Sequence, residues 1–170
     1  MKIEKNSTKT EIFEKIGSWL ATEGYQVQNK DDSRPWGGFF VIHEHQIDKF
    51  RKQFFAEVPM NEGQLKNKLS PKILLVAPGK RLSWQYHHRR AEIWKLIAGE
   101  GGIIMSETDT QGHLQKMKTG EVLQLKQGER HRLVGLENWG VVSEIWMHTD
   151  PENPSDEDDI VRVQDDFQRK

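Results

Sequence analysis

The chain has 170 residues, about the size of one domain, and its 25 basic and 26 acidic residues nearly cancel, so neither nucleic acid nor an anionic membrane is favoured as a partner. No cysteine occurs, which excludes disulfides and thiolate ligation and leaves imidazole, carboxylate and amide oxygen as metal ligands. Residues 1–15 are charged, and no run approaches the roughly 20 apolar residues needed to span a bilayer, so a cytoplasmic protein with a small-molecule partner is expected.

In chain order, Thr8 followed by Glu11 has the form of a capping box, and Ile12, Phe13, Ile16, Trp19 and Leu20 recur at helical spacing until Gly24. An amphipathic N-terminal helix follows. A second helical pattern, Ile47, Phe50, Phe54 and Val58, stops at Pro59, and residues 61–70 are polar and read as a loop. From Pro71 the texture changes to short apolar or alternating runs at 73–77, 82–87, 93–98, 101–106, 122–125, 131–134 and 141–147. Turn signals divide them at Pro78-Gly79, 99–102, Gln111-Gly112, Gln127-Gly128 and 138–140, the texture of an all-β barrel or sandwich. Residues 150–159 are acidic and read as a solvated loop before a last short strand at 160–163.

Strand alternation puts Gln85 and His87 on one face, with Tyr86 and His88 on the other. On the next strand Glu92 shares a face with Trp94, Leu96 and Ala98, so a carboxylate sits among interior apolar residues, where it needs a partner. A divalent cation held by Gln85, His87 and Glu92 answers that need, and His131, on a later strand, supplies a fourth ligand. Nitrogen and oxygen ligands without sulfur suit Zn, Mn, Fe, Co or Ni, with zinc the first expectation. Glu144 shares parity with Val142, Trp146 and His148, so an inward Glu144 lies in an apolar wall that raises its pKa toward the range of a general base. The other role open to it is to orient a metal-bound imidazole such as His131.

The spacing Gly79, five residues, Gln85, one residue, His87, four residues, Glu92, six residues, Gly99 resembles the first motif of the cupins, with Gln where His is commoner. Gly120, five residues, Lys126, one residue, Gly128, two residues, His131 resembles the second, with Lys at its usual Pro. The segment Leu82-Ser83-Trp84-Gln85-Tyr86-His87-His88-Arg89-Arg90-Ala91-Glu92-Ile93-Trp94 is similar to the motif of the type II mannose-6-phosphate isomerases, a cupin domain found fused to a mannose-1-phosphate guanylyltransferase. Arg34-Pro35-Trp36-Gly37, Lys72, His131-Arg132-Leu133, Glu144-Ile145 and Asp158-Asp159-Ile160-Val161-Arg162 fall in the same order as that family's other motifs, over roughly residues 34–168. The helix-forming stretch at 46–58, Arg89 and Ile93 at positions often His, and Phe167-Gln168-Arg169 for Tyr-Gly-Arg depart from the pattern and bear on the substrate.

The resemblance implies a cupin jelly roll, a double-stranded β-helix, over residues 34–170 with an N-terminal helical extension over 1–33 that covers the barrel mouth or forms a dimer contact. It implies metal-dependent interconversion of mannose 6-phosphate and fructose 6-phosphate, with the metal as Lewis acid and Glu144 as the proton-transfer base. For the phosphate, Arg132 beside a ligand, Lys72 and Arg90 are the candidate cations, and Trp36 is expected near the sugar. The glycine-rich phosphate loop of a nucleotidyltransferase is absent, so guanylyl transfer is not expected. The alternatives are a regulatory cupin binding a sugar or sugar nucleotide, and an iron oxygenase, which amide ligation by Gln85 disfavours. Phe50, Phe54 and Phe55 suit either a homodimer contact or packing of the second helix on the barrel.

Overall fold

The computed structural model describes residues 1–169; Lys170, the last residue of the expected barrel segment, lies outside them. Helix α1 is Lys9–Thr22, and its capping box closes as the sequence predicts: Thr8 Oγ1 accepts from the Glu11 N–H at 3.3 Å while Glu11 Oε2 accepts from the Thr8 N–H at 2.7 Å. Its buried face is Ile12, Phe13, Ile16 and Leu20. Strand β1 (Val27–Asp31) was not foreseen, because its mostly exposed sequence carries no alternation, yet it pairs antiparallel with β2 (Gly37–Ile42) at the sheet edge. Helix α2 (Ile47–Phe54) ends short of Val58, and the expected loop contains a one-turn helix α3 (Glu62–Leu65), started by Asn61 Oδ1 accepting from the Gln64 N–H at 3.0 Å.

The barrel strands are β3 (Lys72–Val76), β4 (Trp84–Tyr86), β5 (Arg90–Ser106), β6 (Gln115–Lys116), β7 (Val122–Leu125), β8 (Arg130–His148) and β9 (Val161–Gln164). Long β8 pairs β5 along one edge, and on its other edge β3 and β4 at its two ends, which rolls the sheet into the expected double-stranded β-helix. Alternation then separates two cores. Leu74, Val76, Trp94, Leu96, Leu133 and Val142 fill the barrel interior. Their neighbours Ile73, Leu75, Ile93, Val141 and Ile145 point to the other face and bury against α1 and α2. That second layer explains why β3 is buried at every position, as a sheet covered on both faces must be.

The helices cover that outer face rather than the barrel mouth. Phe13 packs on Phe40 with ring centroids 5.4 Å apart, and Phe50, Phe54 and Phe55 are all buried, two of them against Tyr25. Of the two roles expected for those aromatics, helix packing is the one observed, and they offer no surface to a second subunit. Among the described residues no helix is long and apolar enough to cross a membrane.

Candidate metal centre

Alternation and register bring the candidate ligands together from three strands and a turn. Glu92 is on β5, His131 on β8, Gln85 on β4 in register with His131, and His87 just past the end of β4. His87, Glu92 and His131 are each buried, and one ligand atom from each lies within 4.8 Å of the others. His87 Nε2 is 3.1 Å from Glu92 Oε1, and His131 Nε2 is 3.4 Å from Glu92 Oε2. Gln85 lines the same cavity as Glu92, and its side-chain oxygen accepts from the Ser83 hydroxyl at 2.5 Å.

The chemistry of these donors fits a cation. The Asp159 carbonyl accepts from His87 Nδ1 at 2.5 Å and the Glu129 carbonyl accepts from His131 Nδ1 at 2.9 Å. A carbonyl only accepts, so each Nδ1 carries the proton and each Nε2 turns a lone pair toward the carboxylate, the tautomer a metal-binding imidazole takes. Arg90 Nε donates to Glu92 Oε1 at 2.9 Å and so pairs part of the charge, but Glu92 Oε2 and His131 Nε2 are buried and find no hydrogen-bond partner among the described residues. Two acceptors facing each other without a donor between them are the unmet requirement that a divalent ion would satisfy. Burial works to raise the Glu92 carboxyl, but the charge of Arg90 bonded to it works the other way and favours the ionised form a ligand needs.

The loop after β8 positions the centre, which its acidic composition concealed. Asp159 is buried, and its carboxylate accepts from the N–H groups of His88 and Arg89, each at 2.9 Å, and from Ser155 Oγ at 2.6 Å. Together with its carbonyl on His87, this residue fixes the turn that carries the imidazole. Only the closing segment Asp158-Asp159 of the family resemblance marked it in advance.

A cavity of about 160 Å³ opens over Glu92. Glu144, Lys72 and Trp94 sit in register across β8, β3 and β5, and all three line it. Trp94 Nε1 donates to Glu144 Oε2 at 2.9 Å, and burial, then the neighbouring Glu92 charge, push the Glu144 carboxyl up to about 7. Lys72 Nζ faces Glu157 at 3.3 Å. Trp36 lines the cavity with its indole N–H unpaired.

Two of the expected phosphate ligands are placed differently. Arg132 has parity opposite to His131 and leaves the cavity: its guanidinium donates to the carbonyls of Leu82 at 2.7 Å and Gln164 at 3.3 Å and meets Asp166 at 3.4 Å, tying down the C-terminal segment. Arg90 does line the cavity, but its donors go to Glu92, to Ser155 Oγ at 2.8 Å and to the Asp156 carbonyl at 3.0 Å, so it orients Glu92 rather than meeting a ligand. Arg34, Arg162 and Arg169 also line the cavity; the sequence carried all three inside segments that match family motifs, where nothing distinguished them from scaffold.

Comparison with known proteins agrees with this architecture. The family described as Mannose-6-phosphate isomerase C-terminal matches residues 60–165. The chain is 31% identical over 98 residues to mannose-1-phosphate guanylyltransferase ManC of Salmonella typhimurium, a match covering 58% of this chain and 19% of that protein. The chain thus spans about a fifth of that relative's length. Among solved structures, the capsular polysaccharide assembling protein CapF of Staphylococcus aureus superposes with a TM-score of 0.54 at 15% identity, covering 85% of this chain and 34% of that one. At that identity the likeness speaks for the fold alone.

Proposed function

This chain belongs to the Mannose-6-phosphate isomerase C-terminal family, and from that premise we propose that it is a metal-dependent aldose–ketose isomerase acting on a sugar phosphate, mannose 6-phosphate and fructose 6-phosphate being the leading pair. The observation that carries the reading is that two buried carboxylates line one cavity in opposed surroundings, Glu92 among the candidate ligands and bonded to the Arg90 guanidinium, Glu144 bonded to the Trp94 N–H in a buried wall that pushes its carboxyl up. A pair of titratable groups separated in this way divides the labour between ligand and acid–base catalyst.

His87, Glu92 and His131 would hold the cation, with Gln85 at its edge, and when bound it supplies Lewis-acid polarisation of the substrate oxygens. Glu144 then takes the proton from C2 of the open-chain aldose and returns it to C1. Its carboxyl is poised for both directions because it titrates at about 7. The Trp94 N–H steadies the Glu144 oxygen it bonds and leaves the other free for that transfer. Lys72, level with Glu144 on the adjacent strand, offers a positive charge where negative charge develops on the substrate oxygens. Trp36 supplies an aromatic wall for the sugar and an unpaired donor for one of its hydroxyls.

The test is coupled-assay turnover of mannose 6-phosphate before and after chelation and readdition of Zn, Mn, Co or Ni. Turnover lost on chelation and restored by one of these metals is expected. Glu144→Gln should retain its metal and lose on the order of 100-fold to 10,000-fold in kcat. A fully metal-loaded protein without turnover would sink the isomerase reading, and a normally active Glu144→Gln would sink the base assignment.

A further inference from the structure

The row of β8 side chains that carries Val142, Glu144 and Trp146 ends on His148, a buried ring outside the cavity lining. Both of its nitrogens are engaged. Nε2 donates to the Lys68 carbonyl at 2.6 Å, and Nδ1 accepts from the Ser155 N–H at 3.0 Å. A carbonyl only accepts, so the proton is on Nε2, the opposite tautomer to that of His87 and His131. Neither nitrogen has a lone pair or a proton left for a cation or a substrate. The ring instead joins two loops. On one side is the segment around α3, where Gln64 bonds both the N–H and the carbonyl of His148 and Asn67 Nδ2 donates to the Pro151 carbonyl at 3.3 Å. On the other is the loop after β8, gripped at Ser155.

Ser155 carries the constraint inward. It is buried, and its hydroxyl accepts from Arg90 Nη1 at 2.8 Å and donates to Asp159 Oδ2 at 2.6 Å. Those two partners support two different ligands. Arg90 Nε donates to Glu92 Oε1, and the Asp159 carbonyl accepts from His87 Nδ1. One hydroxyl therefore sits at the branch point between the supports of Glu92 and of His87. His148 decides where that hydroxyl lies, because it bonds the backbone of the same residue. The path is short, since Arg90 and His148 are register partners on β5 and β8. The ion pair of Arg89 with Asp156 on the same loop is exposed and contributes little. The buried, fully paired bonds at His148 and Ser155 are the ones able to fix the loop.

We infer that His148 and Ser155 are positioning residues of the metal centre: His148 locks the loop after β8 in place, and Ser155 passes that placement to His87 through Asp159 and to Glu92 through Arg90. Hydrogen-bonded supports behind metal ligands set the imidazole tautomer and ring orientation, and their loss weakens metal binding by about 10-fold to 100-fold. The inference rests on the reading of His87 and Glu92 as ligands, but its claim on the His87 ring can be measured without a metal.

The experiment compares the full chain with Ser155→Ala, His148→Leu and His148→Gln. Leucine removes both bonds of the ring, whereas glutamine keeps one acceptor and one donor. Each protein is read twice, by long-range proton–nitrogen NMR of the His87 ring after chelation and by Co(II) affinity and visible spectrum after loading. The wild type should hold His87 in the single Nδ1–H form. Ser155→Ala and His148→Leu should let the ring populate both tautomers, weaken Co(II) binding by about tenfold or more and alter the Co(II) spectrum, and His148→Gln should recover most of both signals. Ser155→Ala removes one oxygen from a loop, so it keeps the test open should His148→Leu fail to fold. A wild-type His87 ring and Co(II) affinity in Ser155→Ala and His148→Leu, even at lower melting temperatures, would reduce His148 to a satisfied core histidine and overturn the inference. So would a His148→Gln protein no closer to wild type than His148→Leu, since the packing of the ring and not its bonds would then be responsible. A wild type that takes up no Co(II) while its His87 tautomer responds to these substitutions would sink the metal-dependent reading and leave the positioning of His87 standing.

Discussion

Glu144 shows how one buried residue couples activity and stability to pH in opposite senses. Its carboxyl moves from 4.5 to about 7 on folding, with burial the larger cause and the Glu92 charge the next. A cation on Glu92 would remove much of the second contribution and leave the first. Because the folded state keeps this proton after the unfolded chain has lost it, the contribution to stability is fully present below 4.5 and is lost as pH rises toward 7. The loss is roughly 3 kcal/mol. Activity runs the other way, since the base works only once deprotonated, so the rate of the metal-loaded protein should climb with pH through an apparent pKa that burial lifts above 4.5. Denaturant midpoints of wild type and Glu144→Gln between pH 4 and 8 check the stability arm: the wild type should fall relative to the variant across that window, and parallel curves would show that Glu144 titrates normally. At this scale the sequence was most legible where alternation decides. Glu92, His87, His131 and Glu144 face the interior because each shares parity with an apolar core neighbour or with another ligand. Asp159 was not legible, because a buried, triply bonded carboxylate and a solvated one look alike in an acidic run. Arg132 misled for the reverse reason: adjacency to His131 along a strand puts it on the opposite face.

Among the elements, the runs 93–98 and 101–106, divided in the sequence by the glycines of 99–102, are one strand, β5, and 131–134 joins 141–147 in β8 in the same way. The glycines bend the ladder rather than reverse it. Register shifts fall between Leu96 and Ala98 and between Gly99 and Gly101, and the pairing with β8 continues to Ser106. Bulged glycines of this kind turn a barrel corner, and a single sequence marks a bend and a reversal with the same residues. Gly99 has a φ of +71°, and a Cβ there would lie 1.8 Å from the Trp139 carbonyl oxygen. Gly99→Ala should therefore cost the left-handed backbone penalty of about 1–2 kcal/mol plus the displacement of β8 from β5. Thermal melting should show a drop of several degrees. A variant as stable as the wild type would mean that the corner tolerates an ordinary side chain and that close approach does not require the glycine.

For the molecule as a whole, the barrel is held on the outside by an apolar layer under the helices and left short of hydrogen-bond donors on the inside between Glu92 and His131. A buried Glu92 Oε2 and a buried His131 Nε2 face each other without a donor between them, a cost of about 1–3 kcal/mol for each group left unsatisfied. A cation that binds only the folded chain offsets that cost and adds its own linkage. At a hundredfold excess over its dissociation constant, it stabilises by about 2.7 kcal/mol, which for a domain of this size is roughly 5 to 10 °C in Tm. Chelation of the purified protein should reverse the gain, and readdition of the bound metal should restore it. Glu92→Gln is the control that locates the effect. It leaves Arg90 buried beside a neutral partner, so the variant starts from a lower Tm of its own. The quantity to compare is therefore the shift between metal-loaded and chelated samples. That shift should nearly vanish in the variant, whatever its starting point. A wild type indifferent to chelation and readdition would remove the metal from the account of this fold, and an undiminished shift in Glu92→Gln would move the ion to a different site.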